Sequence, residues 1–216
     1  MNIDNRCNHQ AISDEVYNYV VHHTTLYSTR ILGETYLFTQ DVDYMLSHCP
    51  LLAKFLNKQR LTPTSMAVII SSNKDKLNMH IDNDGSKPRI RILWPIKNCQ
   101  GSKTQFWNVP RGSGTIIRDF EGGDYVGYPA DQQRELVEEV EVIAPIAVDT
   151  SVPHSVVPNP ENQDDRITLS IGFDDNLPIS QSIEAWATWY IEHTKQIIFK
   201  RRSVMSSDKS GKPKGV

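Results

Sequence analysis

Two textures of apolar and polar positions divide the chain. Up to about residue 60 the apolar residues recur at helical spacing. Residues 14–21 read as one helix, with Ser13 as a candidate N-cap and Asp14 and Glu15 favouring the positive end of its dipole. Val42, Met45, Leu46, Leu52, Phe55 and Leu56 mark a second helical run over 41–58, which Pro50 kinks or divides. Residues 1–60 are therefore expected to form a helical N-terminal extension, ended by the break at Leu61-Thr62-Pro63-Thr64.

Beyond that break the pattern changes to short β-rich runs at 66–70, 89–96, 104–109, 115–117, 141–148 and 167–173. Turn material separates them, including Asn83-Asp84-Gly85, Arg111-Gly112-Ser113-Gly114 and Pro158-Asn159-Pro160. Six such runs without strand–helix alternation argue for a sandwich or barrel rather than a parallel sheet. Residues 119–141 are rich in carboxylates (Asp119, Glu121, Asp124, Asp131, Glu135, Glu138, Glu139, Glu141) and read as a solvated loop and surface helix. The β domain is thus expected over 61–178. A C-terminal helix follows at 179–199, with Ala185, Trp186, Trp189 and Tyr190 as its packing face, then a basic, Gly- and Pro-containing disordered tail at 200–216.

Composition narrows the function classes. The 216 residues are 38% hydrophobic and 23% charged, enough to bury a core. A net charge of −3 argues against a dedicated nucleic-acid binder, which needs a basic surface to neutralise phosphates. No apolar run has the length that spans a bilayer, and the polar start of the chain lacks the order of a secretory signal, so a cytoplasmic address without membrane contact is expected. The expected partner is a substrate, either a small molecule or a side chain. Cys7, Cys49 and Cys99 are too scattered for a disulfide framework or a metal knuckle, and Cys99 reads as a small buried hydrophobe.

Chemistry concentrates in three places. In His80-Ile81-Asp82 an imidazole and a carboxylate stand at i and i+2, on the same side of an extended chain. They are two of the three ligands of a facial triad that leaves the opposite face of a metal open. His154, after the apolar run at 141–148, is a candidate third ligand from another strand. Arg166, Thr168 and Ser170 share one face of the last run, and Ile167, Leu169 and Ile171 the other. A guanidinium with hydroxyl neighbours suits a carboxylate ligand. Each element alone has an ordinary explanation: a loop histidine, or an arginine paired with Asp164 or Asp165. Their joint order is what carries information. His9, His22, His23, His48 and His193 show no matching partner spacing and read as structural or surface residues.

The order His80-x-Asp82, His154, Arg166-x-Thr168 resembles the 2-oxoglutarate/iron(II)-dependent oxygenases. So do Arg91-Ile92-Leu93-Trp94-Pro95-Ile96-Lys97-Asn98-Cys99, Asp149-Thr150-Ser151-Val152-Pro153-His154-Ser155-Val156 and the run from Arg166 to Phe173, which look like bacterial and phage members. The resemblance covers about residues 62–175. It implies a mainly β fold with flanking helices, a double-stranded β-helix (jelly roll, cupin-like). It also implies iron(II) held by His80, Asp82 and His154, 2-oxoglutarate paired with Arg166 and helped by Thr168 or Ser170, and O2 as second co-substrate. The implied reaction oxidises or hydroxylates a C–H bond while 2-oxoglutarate becomes succinate and CO2. Members that halogenate lack the carboxylate present here as Asp82. Leu93 stands where related sequences often carry a polar residue. Asn98 and Thr104 are further candidates for co-substrate contact, whereas Phe106, Trp107 and Trp94 are expected to pack in the core. The alternative is a non-catalytic jelly-roll module that binds a small carboxylate or a basic partner.

Overall fold

The structure, a computed structural model, describes residues 8–22, 27–31, 34–38, 41–72, 78–82, 90–110, 113–119 and 123–173. The expected C-terminal helix and basic tail, Cys7 and the Asn83-Asp84-Gly85 turn lie outside them.

Three helices precede the β domain: α1 (His9–His22), α2 (Val42–His48) and α3 (Pro50–Lys58). The division expected at Pro50 is present, with Pro50 opening α3 where its missing N–H costs nothing. Asp41 caps α2, accepting from the N–H groups of Asp43 and Tyr44. Helix α1 starts earlier than its apolar pattern suggested, so Ser13 is not its N-cap. Asn8 Oδ1 instead accepts from the Ala11 N–H. The buried Ser13 hydroxyl lies 2.6 Å from the Pro95 carbonyl and accepts from Trp94 Nε1, tying the helix to the sheet.

The strands are β1 (Tyr27–Ile31), β2 (Glu34–Phe38), β3 (Ser65–Ser71), β4 (His80–Asp82), β5 (Ile90–Lys97) and β6 (Lys103–Asn108). They continue with β7 (Thr115–Asp119), β8 (Gly123–Gly127), β9 (Glu135–Glu141), β10 (Ile146–Asp149), β11 (His154–Val157) and β12 (Arg166–Gly172). They build two six-stranded sheets, ordered β1-β2-β3-β12-β5-β10 and β7-β8-β4-β11-β6-β9. From β3 to β6, and again from β9 to β12, each successive strand enters the other sheet. That alternation winds the chain as a double-stranded β-helix, a mainly β fold with flanking helices. The β1–β2 hairpin extends the first sheet past β3, and the β7–β8 hairpin extends the second past β4.

Three expectations are corrected here. The first 60 residues are not wholly helical, because β1 and β2 pair onto the edge of β3. The run at 141–148 is not one strand: it breaks before Pro145 into β9 and β10, which belong to different sheets. The described part of the acidic segment contains strands β8 and β9 and no helix. Its glutamates are accommodated because Lys103 and Gln105 on β6 meet Glu139, and Glu141 accepts from the Gly101 N–H. Tertiary pairing thus overrides a weak local preference.

Two apolar clusters hold the domain. On the outer face of the first sheet, Ile90, Ile92, Trp94, Ile96, Met66, Val68, Leu169 and Ile171 pack with Ile12, Val16, Leu52, Phe55 and Leu56 of α1 and α3. Trp94 is fully buried and meets Phe55 edge to face at 4.9 Å. Between the sheets, Phe106, Val140, Val142, Ile146 and Val148 form a second cluster, joined by Leu93 and Val152. Among the described residues no helix is long and apolar enough to cross a membrane.

Candidate metal centre

Strand β4 is short, but its alternation matters. It places His80 and Asp82 on one face and Ile81 on the other. His80 lies directly opposite His154 of β11, and His154 opposite Phe106 of β6, so the two histidines share the inner face of the second sheet. Their ring centroids are 4.4 Å apart. One ligand atom each from His80, Asp82 and His154 falls within 4.8 Å of the others. Asp82 Oδ1 is 3.6 Å from His80 Nε2, near the separation of about 3 Å expected for two ligands about 2.1 Å from a shared ion.

Local hydrogen bonds set the tautomer of both rings. His80 Nδ1 lies 3.0 Å from the Asn78 carbonyl, and His154 Nδ1 lies 2.8 Å from the Val152 carbonyl. A carbonyl can only accept, so each Nδ1 donates, and in the neutral form of either ring Nε2 is the nitrogen left with a lone pair for a metal. Burial, reinforced by the neighbouring His154, pushes the His80 pKa down to about 4 against the opposing pull of Asp82 and the Asn78 carbonyl. That ring is neutral near pH 7, the form a metal needs. Burial works against ionisation of Asp82. His154, His80, Arg91 and a hydrogen bond from Thr150 together outweigh it and hold the carboxyl below its usual range.

Supporting groups surround Asp82 that the sequence did not single out. Its N–H donates to the Thr150 carbonyl at 2.9 Å, and its Oδ2 is 3.6 Å from Arg91 Nε. Tyr125 of β8 stands opposite Asp82, with its ring centroid 6.3 Å from that of His80. The one available signal for Arg91 was parity: it shares a strand face with Leu93 and Pro95, between the outward-packed Ile90 and Ile92.

Arg166 opens β12 and is only 3% exposed. It is opposite Ser71 of β3 and contacts the Cys99 thiol, which itself donates to the Ile167 carbonyl. Among the described residues Arg166 forms no ion pair, so the pairing with Asp164 or Asp165 weighed above does not occur. Its buried Nε lacks a hydrogen-bond partner. Thr168 and Ser170 are buried on the same strand face. Thr104, buried two residues before Phe106 on β6, likewise leaves its Oγ1 unpartnered. Buried polar atoms without partners cost stability.

Asn98 is the residue that follows β5. It adopts a positive φ of 54° beyond β5, donates from Nδ2 to the Asp165 carbonyl, and accepts at its own carbonyl from Asn162. Leu93 joins the apolar cluster between the sheets, Phe106 and Trp94 are core residues as expected, and Cys99 is buried. Trp107 instead lies outside both clusters, where its Nε1 donates to Ser155 and Arg134 stacks on its ring.

Two imidazole nitrogens and one carboxylate on the inner face of the second sheet offer three ligand atoms that could hold a metal ion. A jelly-roll protein with a His-x-Asp…His cluster is the class that fold and site define. No family model and no curated protein matches the chain. Among solved structures it is similar to AviO1 from Streptomyces viridochromogenes Tue57 (16% identity, TM-score 0.40, covering 79% of this chain and 86% of that one). It is also similar to a Pseudomonas putida prolyl-4-hydroxylase (13% identity, TM-score 0.40, 79% and 88%). A third is the epimerase SnoN in complex with Fe3+, alpha ketoglutarate and nogalamycin RO (15% identity, TM-score 0.44, 79% and 75%). These likenesses are distant; the strand order and the side-chain cluster define fold and site.

Proposed function

We propose that this protein is a 2-oxoglutarate- and iron(II)-dependent dioxygenase that hydroxylates or otherwise oxidises a C–H bond of a small molecule or side chain. One observation carries it: a His80–Asp82–His154 cluster shares a barrel with Arg166, a buried guanidinium whose Nε has no partner. Bound iron(II), 2-oxoglutarate and O2 supply the oxidative chemistry, with succinate and CO2 as co-products. The chain's own residues bind and orient. His80 and His154 present Nε2, and Asp82 adds a negative charge. Arg166 offers its fork to the distal carboxylate of the co-substrate, with the hydroxyls of Thr168, Ser170 and Thr104 as donors around it. Leu93 and Phe106 line the space between the sheets with apolar surface, which excludes water and strengthens every polar contact there.

Succinate formation by purified protein supplied with iron(II), 2-oxoglutarate and ascorbate tests this reading. Wild type is expected to turn over 2-oxoglutarate, and His80→Ala and His154→Ala to abolish metal binding and turnover together. Equal succinate from wild type and both variants would overturn the assignment.

A further inference from the structure

We propose that Arg91 is a positioning residue that makes Asp82 a one-oxygen metal ligand, with Ser65 and Gly172 forming the seat that holds it. The inference rests on the metal-centre reading and goes beyond it. Ser65, Gly172 and Arg91 are direct neighbours in a cross-strand row over β3, β12 and β5. The guanidinium lies over Gly172: a Cβ there would come within 2.5 Å of Arg91 Nη1 and 2.3 Å of Ser65 Oγ. A side chain at 172 would therefore displace the guanidinium or the Ser65 hydroxyl from its place. Arg91 Nη1 donates to Ser65 Oγ at 3.2 Å, which fixes the plane of the fork. Its Nε then lies 3.6 Å from Asp82 Oδ2, while Asp82 Oδ1 lies 3.6 Å from His80 Nε2.

The two carboxylate oxygens are thus divided between two tasks. Oδ1 joins the imidazole nitrogens, and Oδ2 is drawn to a cation anchored in the opposite sheet. A carboxylate free to rotate can chelate through both oxygens and occupy one more coordination position. Holding Oδ2 keeps that position open for co-substrate or O2. Arginine suits this task better than lysine because Nε and Nη1 serve different partners at a fixed separation.

The test uses Co(II) as a probe metal, titrated into the metal-free protein and followed by calorimetry and by its visible spectrum. Arg91→Gln is expected to weaken Co(II) binding by about 10–100-fold and to alter the spectrum as the coordination number changes. Arg91→Lys, which keeps the charge and loses the fork, should recover part of the affinity. Gly172→Ala leaves Arg91 intact and unseats it, so it should shift affinity and spectrum in the same direction, and it decides the matter should Arg91→Gln not fold. Wild-type affinity and spectrum in Arg91→Gln and Gly172→Ala would overturn the positioning role while leaving the metal centre standing. A wild-type protein that binds no Co(II) would overturn the metal-centre reading itself, and this inference with it.

Discussion

The two faces of β12 are almost equally buried, yet they differ in one respect. Leu169 and Ile171 on the outer face are fully buried against the helices and carry no polar side-chain atom. Arg166, Thr168 and Ser170 on the inner face are buried to within a few per cent as deeply, but that lining is unfinished: Arg166 Nε there, and Thr104 Oγ1 on the facing sheet, lack partners. The outer face stabilises the fold by apolar packing, whereas the inner face buries a guanidinium and two hydroxyls at a cost in stability. Burial alone does not separate the two faces; the chemistry of their side chains does.

Substitutions on either face test that contrast. The largest effect is expected from His154→Ala on the inner wall: loss of metal binding and of succinate formation, with little change in the unfolding midpoint of the metal-free protein. Leu169→Ala on the outer face should do the opposite. It should cost about 2–5 kcal/mol in denaturant unfolding, because it opens a cavity in a dry core, while the folded fraction keeps its 2-oxoglutarate requirement. Arg166→Met exchanges an unpaired buried charge for an apolar chain of similar reach. Its unfolding free energy should equal or exceed that of wild type. Its 2-oxoglutarate requirement should rise about 10–100-fold, for the loss of charged hydrogen bonds worth about 1.5–3 kcal/mol.

A further effect is one of pH. In the folded, metal-free protein His80 gains its proton only near pH 4, whereas the unfolded chain takes it up near 6.5. Between those values the unfolded state binds more protons, so stability falls as the solution is acidified across that window. Asp82 is held ionised below its usual range and extends the loss in the same direction. Urea midpoints at pH 7, 5.5 and 4.5 should decline in wild type, and His80→Asn should flatten the first part of the decline.

Legibility followed the range of the interactions. The runs at 66–70, 89–96, 104–109 and 167–173 became β3, β5, β6 and β12, because β-branched and aromatic runs bounded by turns are local signals. Strand β9 was hidden: its glutamates favour no strand, and only pairing with β6 makes one. The β1–β2 hairpin was hidden for a similar reason, since its pairing partner is the edge of β3. The three metal-ligating candidates were found from donor type and order along the chain. Arg91 was passed over because its significance lies in contacts to Gly172, Ser65 and Asp82, on three other strands.

By itself the amino-acid sequence determined which donors are present and, through the two-residue period of an extended chain, which of them share a strand face: His80 with Asp82, and Arg166 with Thr168 and Ser170. It could not decide which face of β12 lines the barrel, because both are buried and a strand carries no record of what lies above and below it. Only the winding of alternate strands into two sheets brings His154 opposite His80, buries Arg166 with its Nε unpartnered, and lowers Arg91 over Gly172 onto Asp82. Those relations cross between strands and sheets, so they exist only once the chain has closed.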